Sequence, residues 1–321
     1  MNNPNLTQRD EVKDRLSSFL FKEGGLSIHD LFCINFTVFY IQTTDGEEFL
    51  LKRHNKKDSV EQQWDFFTGI GKSNVIPFQG YPNGRKIISM NNYYWTISPF
   101  IQGKKLDYNS TEDRKQVVTS LQEFHYRAQG IHLEKPLTKE LLFIRWYQRL
   151  LLFKKTSSIF KENGFENLYK DIVQTTVTHL RFVTQFPWEE YERKAKNQGR
   201  WIHGDVASHN FLRNKTDKRT YLIDFDLLQC TTPLYDYIQL GQRFLPYLRW
   251  DPEKLLSFKM VQDSEIKPWL YAVFIPSDIL REWLHFLYKK PVSSPSHYLS
   301  QMEKTWVKRQ DFVKNAKLML N

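Results

Sequence analysis

Cysteine is scarce in this sequence. Its 321 residues include only Cys33 and Cys230, far apart in the chain, so neither a disulfide framework nor a cysteine-rich zinc site can be built, and a reducing compartment is the plain reading. Long apolar runs are missing as well: none approaches the length that spans a bilayer, and the start Met-Asn-Asn-Pro-Asn-Leu-Thr lacks a basic segment followed by an apolar one. The expectation is a soluble, unprocessed, cytoplasmic chain with no membrane span. No internal repeat or low-complexity tract is visible. Acidic residues fall short of basic ones, 36 against 46, and the net charge of +10 favours anionic ligands and disfavours strongly cationic substrates.

What is present is a globular composition. With 40% hydrophobic and 15% aromatic residues the chain stands away from disorder, and its length suits one large or two modest domains. Residues 34–49 are rich in β-branched and aromatic types, break at Asp45-Gly46 and resume as Phe49-Leu50-Leu51-Lys52, the pattern of a β-hairpin. Ser59 with Gln62 three positions on resembles a capping box, and Val60, Trp64 and Phe67 continue at near-helical spacing to a stop near Gly69 or Gly71. Residues 85–90 and 93–101 flank Asn91-Asn92 and predict a second hairpin. Beyond Gly103 the pattern turns helical. Ser110 caps a helix that carries Val117, Leu121, Phe124 and Ala128 on one stripe as far as Gly130, and residues 141–153, 168–186, 277–288 and 297–320 also read as helices. Strand-like pieces recur only around Trp201 and over residues 221–225. The class predicted is α+β, β-rich over residues 1–101 and helix-rich over 102–321.

One stretch carries chemistry. His203, Asp205 and Asn210 form His-x-Asp-x-x-x-x-Asn, and Asp224 ends a short apolar run a little downstream. Phosphoryl transfer from ATP asks the protein for one carboxylate to receive the acceptor hydroxyl's proton and for oxygen ligands to hold Mg²⁺. Asp205 suits the first role, and Asn210 and Asp224 are hard oxygen donors for the second. Lys52 closes an apolar strand pattern in which an inward ammonium would be expensive without an anion, which ATP phosphate would supply.

These residues resemble the aminoglycoside phosphotransferase and choline kinase-like superfamily. The runs Tyr94-Trp-Thr-Ile-Ser-Pro-Phe-Ile-Gln-Gly103, Leu121-Gln-Glu-Phe-His-Tyr-Arg-Ala-Gln-Gly130 and Leu222-Ile-Asp-Phe-Asp226 look like its spore-coat-associated CotS-type branch, and the likeness spans residues 34–250. It implies the two-lobed protein-kinase-like fold, a small β-rich N-lobe over residues 1–101 and a larger helical C-lobe over 102–321. Carried over position by position, the resemblance implies Asp205 as catalytic base, His203 as organiser of the catalytic loop, Asn210 and Asp224 as metal ligands and Lys52 as the phosphate-binding lysine. Ser98, Pro99, Phe100 and Ile101 would be the hinge that hydrogen-bonds adenine through one backbone carbonyl and, two residues later, one N–H; Pro99 lacks the N–H but keeps its carbonyl. Glu61 is the candidate acidic partner of Lys52, with a solvated first-turn position on its helix as the alternative. Gly204 stands where regulated protein kinases carry arginine, and no Ala-Pro-Glu segment follows, a pattern closer to small-molecule phosphotransferases.

There are departures. Asn35-Phe-Thr-Val-Phe39 takes the place of the nucleotide-covering loop without a glycine, so weak ATP affinity is expected. Asp226 and Asp236 either assist the site or cap helices. The basic cluster at residues 52–57 and Lys304, Lys308, Arg309, Lys314 and Lys317 read as solvated faces, so nucleic acid is not an expected partner. Trp146, Trp188, Trp250, Trp269 and Trp283 read as helix-packing residues, and His125 and His132 as histidines that bind no metal.

Two function classes follow. The first is an ATP- and Mg²⁺-dependent phosphotransferase acting on a hydroxyl of an unknown small-molecule or sugar-like acceptor, linked by the resemblance to the spore coat and sporulation. Net charge weighs against cationic acceptors unless Asp107, Glu189, Glu190 and Glu192 build a local acidic pocket. The second is a kinase-like structural or binding component of the spore coat with little turnover. The glycine-free loop favours it, and the intact set of Lys52, Asp205, Asn210 and Asp224 opposes it.

Overall fold

The computed structural model describes residues 4–289 and 293–320. The first elements in chain order are α1 (Pro4–Gly24), β1 (Ile28–Cys33), β2 (Val38–Thr43), β3 (Glu48–His54), α2 (Lys57–Ile70), β4 (Ile88–Met90), β5 (Tyr93–Pro99) and β6 (Gly103–Lys105). They are followed by α3 (Thr111–Arg127), α4 (Leu142–Lys154), α5 (Ser157–Glu162), α6 (Glu166–Val183), α7 (Trp188–Asn197), β7 (Trp201–Ile202), β8 (Phe211–Asn214), β9 (Thr220–Leu222) and β10 (Gln229–Cys230). The remaining helices are α8 (Leu234–Phe244), α9 (Pro252–Leu256), α10 (Ile266–Phe274), α11 (Ser277–Tyr288) and α12 (Pro295–Leu320). No helix among the described residues is long and apolar enough to cross a membrane.

The chain forms two compact units. The first runs up to Leu106 and also takes in Ile131–Leu137 and Asn210–Leu228; the second consists of Asp107–Gly130, Thr138–His209 and the chain from Gln229 on. A single cut at residue 101 therefore misses two returns of the chain to the β-rich unit. The second return has a plain cause: β8 pairs with β6 and β9 pairs with β8, so strand hydrogen bonds hold residues 210–228 to the segment after Gly103. At Gly103 the backbones come so close that a Cβ would lie 2.7 Å from the Arg213 carbonyl oxygen.

In the first unit an antiparallel sheet runs in the order β1-β2-β3-β5-β4. Both expected hairpins are present. β2 and β3 turn at Asp45-Gly46, and β4 and β5 turn on Asn91 and Asn92, whose φ angles of 53° and 62° are the left-handed pair that a tight hairpin turn requires. Leu16 and Leu20 of α1 pack with Ile41, Phe49, Leu51, Trp95 and Ile97 of the sheet into one buried cluster. Sequence periodicity missed β1, whose only buried residue is Leu31, because an edge strand with one inward side chain has no alternation to detect. The proposed capping box is not formed. α2 starts three residues earlier, with Lys56 at its N-cap and no side-chain cap, and Gln62 instead donates to the Leu228 carbonyl and accepts from the Leu137 N–H.

The second unit is helical, with α10 packed on α6 and α8, and α11 on α4. α3 forms as the spacing predicts. Ser110 caps it by accepting the Asp113 N–H, a contact worth about 1 kcal/mol in typical helices, and Val117, Leu121, Phe124 and Ala128 are fully buried. Trp146, Trp188, Trp250, Trp269 and Trp283 are all buried. Arg309 corrects the expectation of a solvated basic face on α12: it is buried, pairs with Asp278 and lies 5.0 Å from the centre of the Trp250 ring. Helix α8, which becomes central below, was not foreseen.

Candidate active site

Lys52, Asn210 and Asp224 belong to the first unit. β3 holds Lys52 in register with Val38 of β2 and Thr96 of β5. Strand alternation sends Phe49 and Leu51 into the cluster under α1 and leaves Leu50, Lys52 and His54 on the other face. The β8–β9 hairpin brings the acids. Phe211 pairs with Leu222, and the Ile223 N–H donates to the Asn210 carbonyl at 3.0 Å, so Asn210 and Asp224 flank the same end of that hairpin. Lys52 Nζ then lies 2.6 Å from Asp224 Oδ1 and 2.8 Å from Asp226 Oδ1. The lysine side chain is 16% exposed whereas both carboxylates are about half exposed, so the cation is the group that most needs a counter-charge. Asp224 adopts φ 67°, a left-handed backbone that aspartate tolerates better than most side chains.

Asp226 does not cap a helix. Its carboxylate also faces His54 Nδ1 at 3.6 Å, and His54 Nε2 lies 2.9 Å from the Thr96 hydroxyl. Burial opposes its ionisation, but the contacts with His54 and Lys52 outweigh burial and hold the carboxyl well below the usual carboxylate range. Glu61 is not the partner of Lys52. It pairs with Lys57 at 2.9 Å one turn back on α2, because the carboxylates of residues 224 and 226 already occupy the lysine.

The loop between β1 and β2 folds around its own asparagine. Asn35 Oδ1 accepts the Thr37 and Val38 N–H groups at 2.9 and 3.0 Å, so the amides a glycine-rich loop would point at a phosphate are engaged internally. Residues 98–101 span the end of β5, with Ser98 and Pro99 still in the strand. Pro99 pairs with Phe49 in the sheet, and the Phe100 N–H donates to the Glu48 carbonyl at 3.0 Å.

His203 and Asp205 belong to the second unit, where α8 braces their loop. Asp236, fully buried, accepts the His203 and Gly204 N–H groups at 2.8 and 2.9 Å and also faces His125 Nε2 at 3.0 Å. Gln239 donates to the Gly204 carbonyl at 3.0 Å, and Arg243 donates to Asp205 Oδ1 at 2.7 Å. Positions 236, 239 and 243 are one stripe of the helix. The Asp205 N–H donates to His203 Nδ1 at 3.3 Å, and Gly204 between them has φ 83°, which explains glycine at that position. Tyr108 donates to the Val206 carbonyl at 2.5 Å with its ring edge-on to Phe244; burial pushes its phenol above the ordinary range.

Sequence reasoning missed Gln239 and Arg243 and left Asp236 open. The signal was there: in Leu234-Tyr-Asp-Tyr-Ile-Gln-Leu-Gly-Gln-Arg-Phe244 these polar residues recur at i, i+3 and i+7 among apolar ones. The acidic-pocket candidates do not converge. Glu189 and Glu190 line a cavity of ≈ 550 Å³ with Trp188 and Arg193, Glu192 is buried, and Asp107 accepts from the Asn109 N–H and side-chain amide.

Among the described residues no group of three His, Cys, Asp or Glu side chains could hold a metal ion by itself. The donor set nevertheless fits a hard cation that arrives with a polyphosphate. Asn210 and Asp224 stand at one hairpin end and would supply an amide oxygen and a carboxylate, and Mg²⁺ commonly takes one or two protein ligands with phosphates and water completing its shell.

The phosphotransferase enzyme family matches over residues 34–255. No curated protein sequence matches the chain. Among solved structures, an aminoglycoside phosphotransferase from Alicyclobacillus acidocaldarius superposes with a TM-score of 0.71 at 16% identity, covering 93% of this chain and 94% of that one. Spectinomycin phosphotransferase in complex with ADP and spectinomycin gives 0.60 at 13% identity, covering 94% and 93%. The GDP complex of aminoglycoside 2'-phosphotransferase-IIIa gives 0.58 at 15% identity, covering 94% and 98%. These likenesses give the fold, a protein-kinase-like one with a small antiparallel-sheet lobe and a helical lobe.

Proposed function

The chain belongs to the phosphotransferase enzyme family, and on that premise we propose that it transfers the γ-phosphoryl group of ATP to a hydroxyl of a small-molecule or sugar-like acceptor. The observation that carries this is Lys52 held against Asp224, a cation and a metal-type ligand brought together from distant parts of the chain. Asp205 would take the acceptor hydroxyl's proton as the new P–O bond forms, with His203 and α8 holding the loop in place. Lys52 would position the phosphates. Asn210 and Asp224 would hold Mg²⁺, which when bound neutralises charge on the β- and γ-phosphates. With the Phe100 N–H used by Glu48, the Pro99 carbonyl and the Ile101 N–H are the hinge pair two residues apart for adenine, beside Ser98 at the strand end.

A second reading has its own support. The Thr37 and Val38 amides engaged by Asn35 favour a kinase-like component with little turnover, of the kind the likeness to spore-coat proteins suggests. That spore-coat association rests on the resemblance.

The test is ADP release with Mg²⁺ and ATP against a panel of polyols, beside the thermal unfolding midpoint with ATP, with and without Mg²⁺. A metal-dependent rise in midpoint, with turnover that drops at least about a hundredfold in Asp205→Asn, supports the enzyme. A rise without turnover on any acceptor supports the second reading.

A further inference from the structure

We infer that Arg243 selects the acceptor, and that the acceptor carries an anionic oxygen group, carboxylate or phosphate, close to the hydroxyl that is phosphorylated. This rests on the reading of Asp205 as the base. Helix α8 is otherwise buried along its whole length: of residues 234–244 only Gln239 and Arg243 keep partial exposure. Both touch the catalytic loop beside the buried Asp236, Gln239 at the Gly204 carbonyl and Arg243 at Asp205 Oδ1. An arginine here is held by a packed helix rather than by a mobile surface segment, and the side chain keeps 27% of its surface exposed while paired.

The consequence for an acceptor is geometric. Its hydroxyl must come within hydrogen-bond reach of Asp205, about 3 Å, for the proton to pass. Arg243 Nη2 is 2.7 Å from that carboxylate, so substituents on the carbons next to the reacting hydroxyl fall within reach of the guanidinium. A guanidinium has five donors in a planar fork, and Asp205 takes one hydrogen bond from it. An anionic oxygen group can accept others as a charge-assisted pair, whereas an ammonium in the same place meets a like charge. Tyr247, on the turn after α8 and 43% exposed, has its ring centre 6.2 Å from that of the buried Tyr108. Of the acids weighed for a cationic acceptor, Glu189 and Glu190 line another cavity and Asp107 closes its own turn.

The experiment uses the intact protein with Mg²⁺ and ATP and four probes sharing one ring: glucose, glucosamine, glucuronate and glucose 6-phosphate. ADP release is measured for each, and the thermal midpoint is measured for each with Mg²⁺ and ADP present. The expected result is that glucuronate or glucose 6-phosphate is preferred over glucose by about tenfold or more in kcat/KM, with glucosamine last. The two charged arms separate carboxylate from phosphate. Arg243→Gln is expected to abolish the preference mainly through a higher KM for the anionic probe, and Arg243→Lys to restore part of it. Both variants should keep the ATP-induced rise in midpoint, which reports that they fold. A preference for glucosamine or glucose, an unchanged preference in Arg243→Gln, or no turnover or midpoint rise with either anionic probe would overturn the inference. Failure of the underlying reading looks different: ATP with Mg²⁺ would not raise the midpoint of the wild-type protein.

Discussion

Lys52 and Asp224 are separated by 172 positions in the chain and by 2.6 Å in space. The pairing needs the sheet to present the lysine on one face of β3 and the β8–β9 hairpin to return to the same unit. Asp224→Ala is therefore expected to abolish the Mg²⁺-dependent part of the ATP-induced rise in midpoint. It should cost less than about 1 kcal/mol of stability, because both carboxylates are half exposed and Asp226 remains at 2.8 Å to neutralise the lysine. Thermal unfolding with ATP and either Mg²⁺ or EDTA measures both effects, and an unaltered metal-dependent rise would remove Asp224 from the metal site.

Asp236 is fully buried and accepts the His203 and Gly204 amides of the loop that carries Asp205. Removing it leaves two N–H groups and His125 without their acceptor, so Asp236→Ala is expected to destabilise by about 3–5 kcal/mol. Urea unfolding reads the loss directly. A change under 1 kcal/mol would mean that the loop is held by other contacts.

His179 predicts an acid-sensitive step in stability. Burial, and then the charge of Lys317 with a smaller part from Arg309, lowers its pKa from 6.5 to about 4, against a weaker upward pull from the Thr175 backbone. The folded state thus keeps the ring neutral where the unfolded chain takes up a proton. Stability from this group is complete above pH 6.5, falls as pH drops toward 4 and levels off below, a change of about 3 kcal/mol at most. Urea midpoints measured from pH 4 to 7 should slope less in His179→Leu than in the wild-type protein. Equal slopes would show that another group governs the window.

Asn35 gives the fourth expectation. Its side chain engages the Thr37 and Val38 amides. Asn35→Gly frees both and loosens the loop, and a several-fold tighter Kd for ATP is expected by calorimetry. Weaker binding would show that the asparagine shapes a loop the nucleotide needs.

How much of this was legible follows from where each signal resides. The hairpin at Asp45-Gly46, the Asn91-Asn92 turn and the α3 stripe from Val117 to Ala128 are local patterns, and all three appear in the fold. Glu61 stayed between two readings for the opposite reason. In sequence it is an acid on the helix after the lysine strand, and only the position of residues 224 and 226 shows that Lys52 is already paired.

The amino-acid sequence by itself determined the chemistry at hand: the spacing of His203, Asp205, Asn210 and Asp224, a lysine at the end of an apolar strand, and the alternations that place each on a loop or sheet face. Those are properties of residue type and short-range periodicity. The tertiary structure decided the partners. Arg243 meets Asp205 across 38 positions, Asp236 reaches back 33 to His203, and Lys52 finds two carboxylates in a returning hairpin. An ion pair between distant residues leaves no periodic trace in the chain, because its energy depends on distance and burial that exist only once each unit has folded.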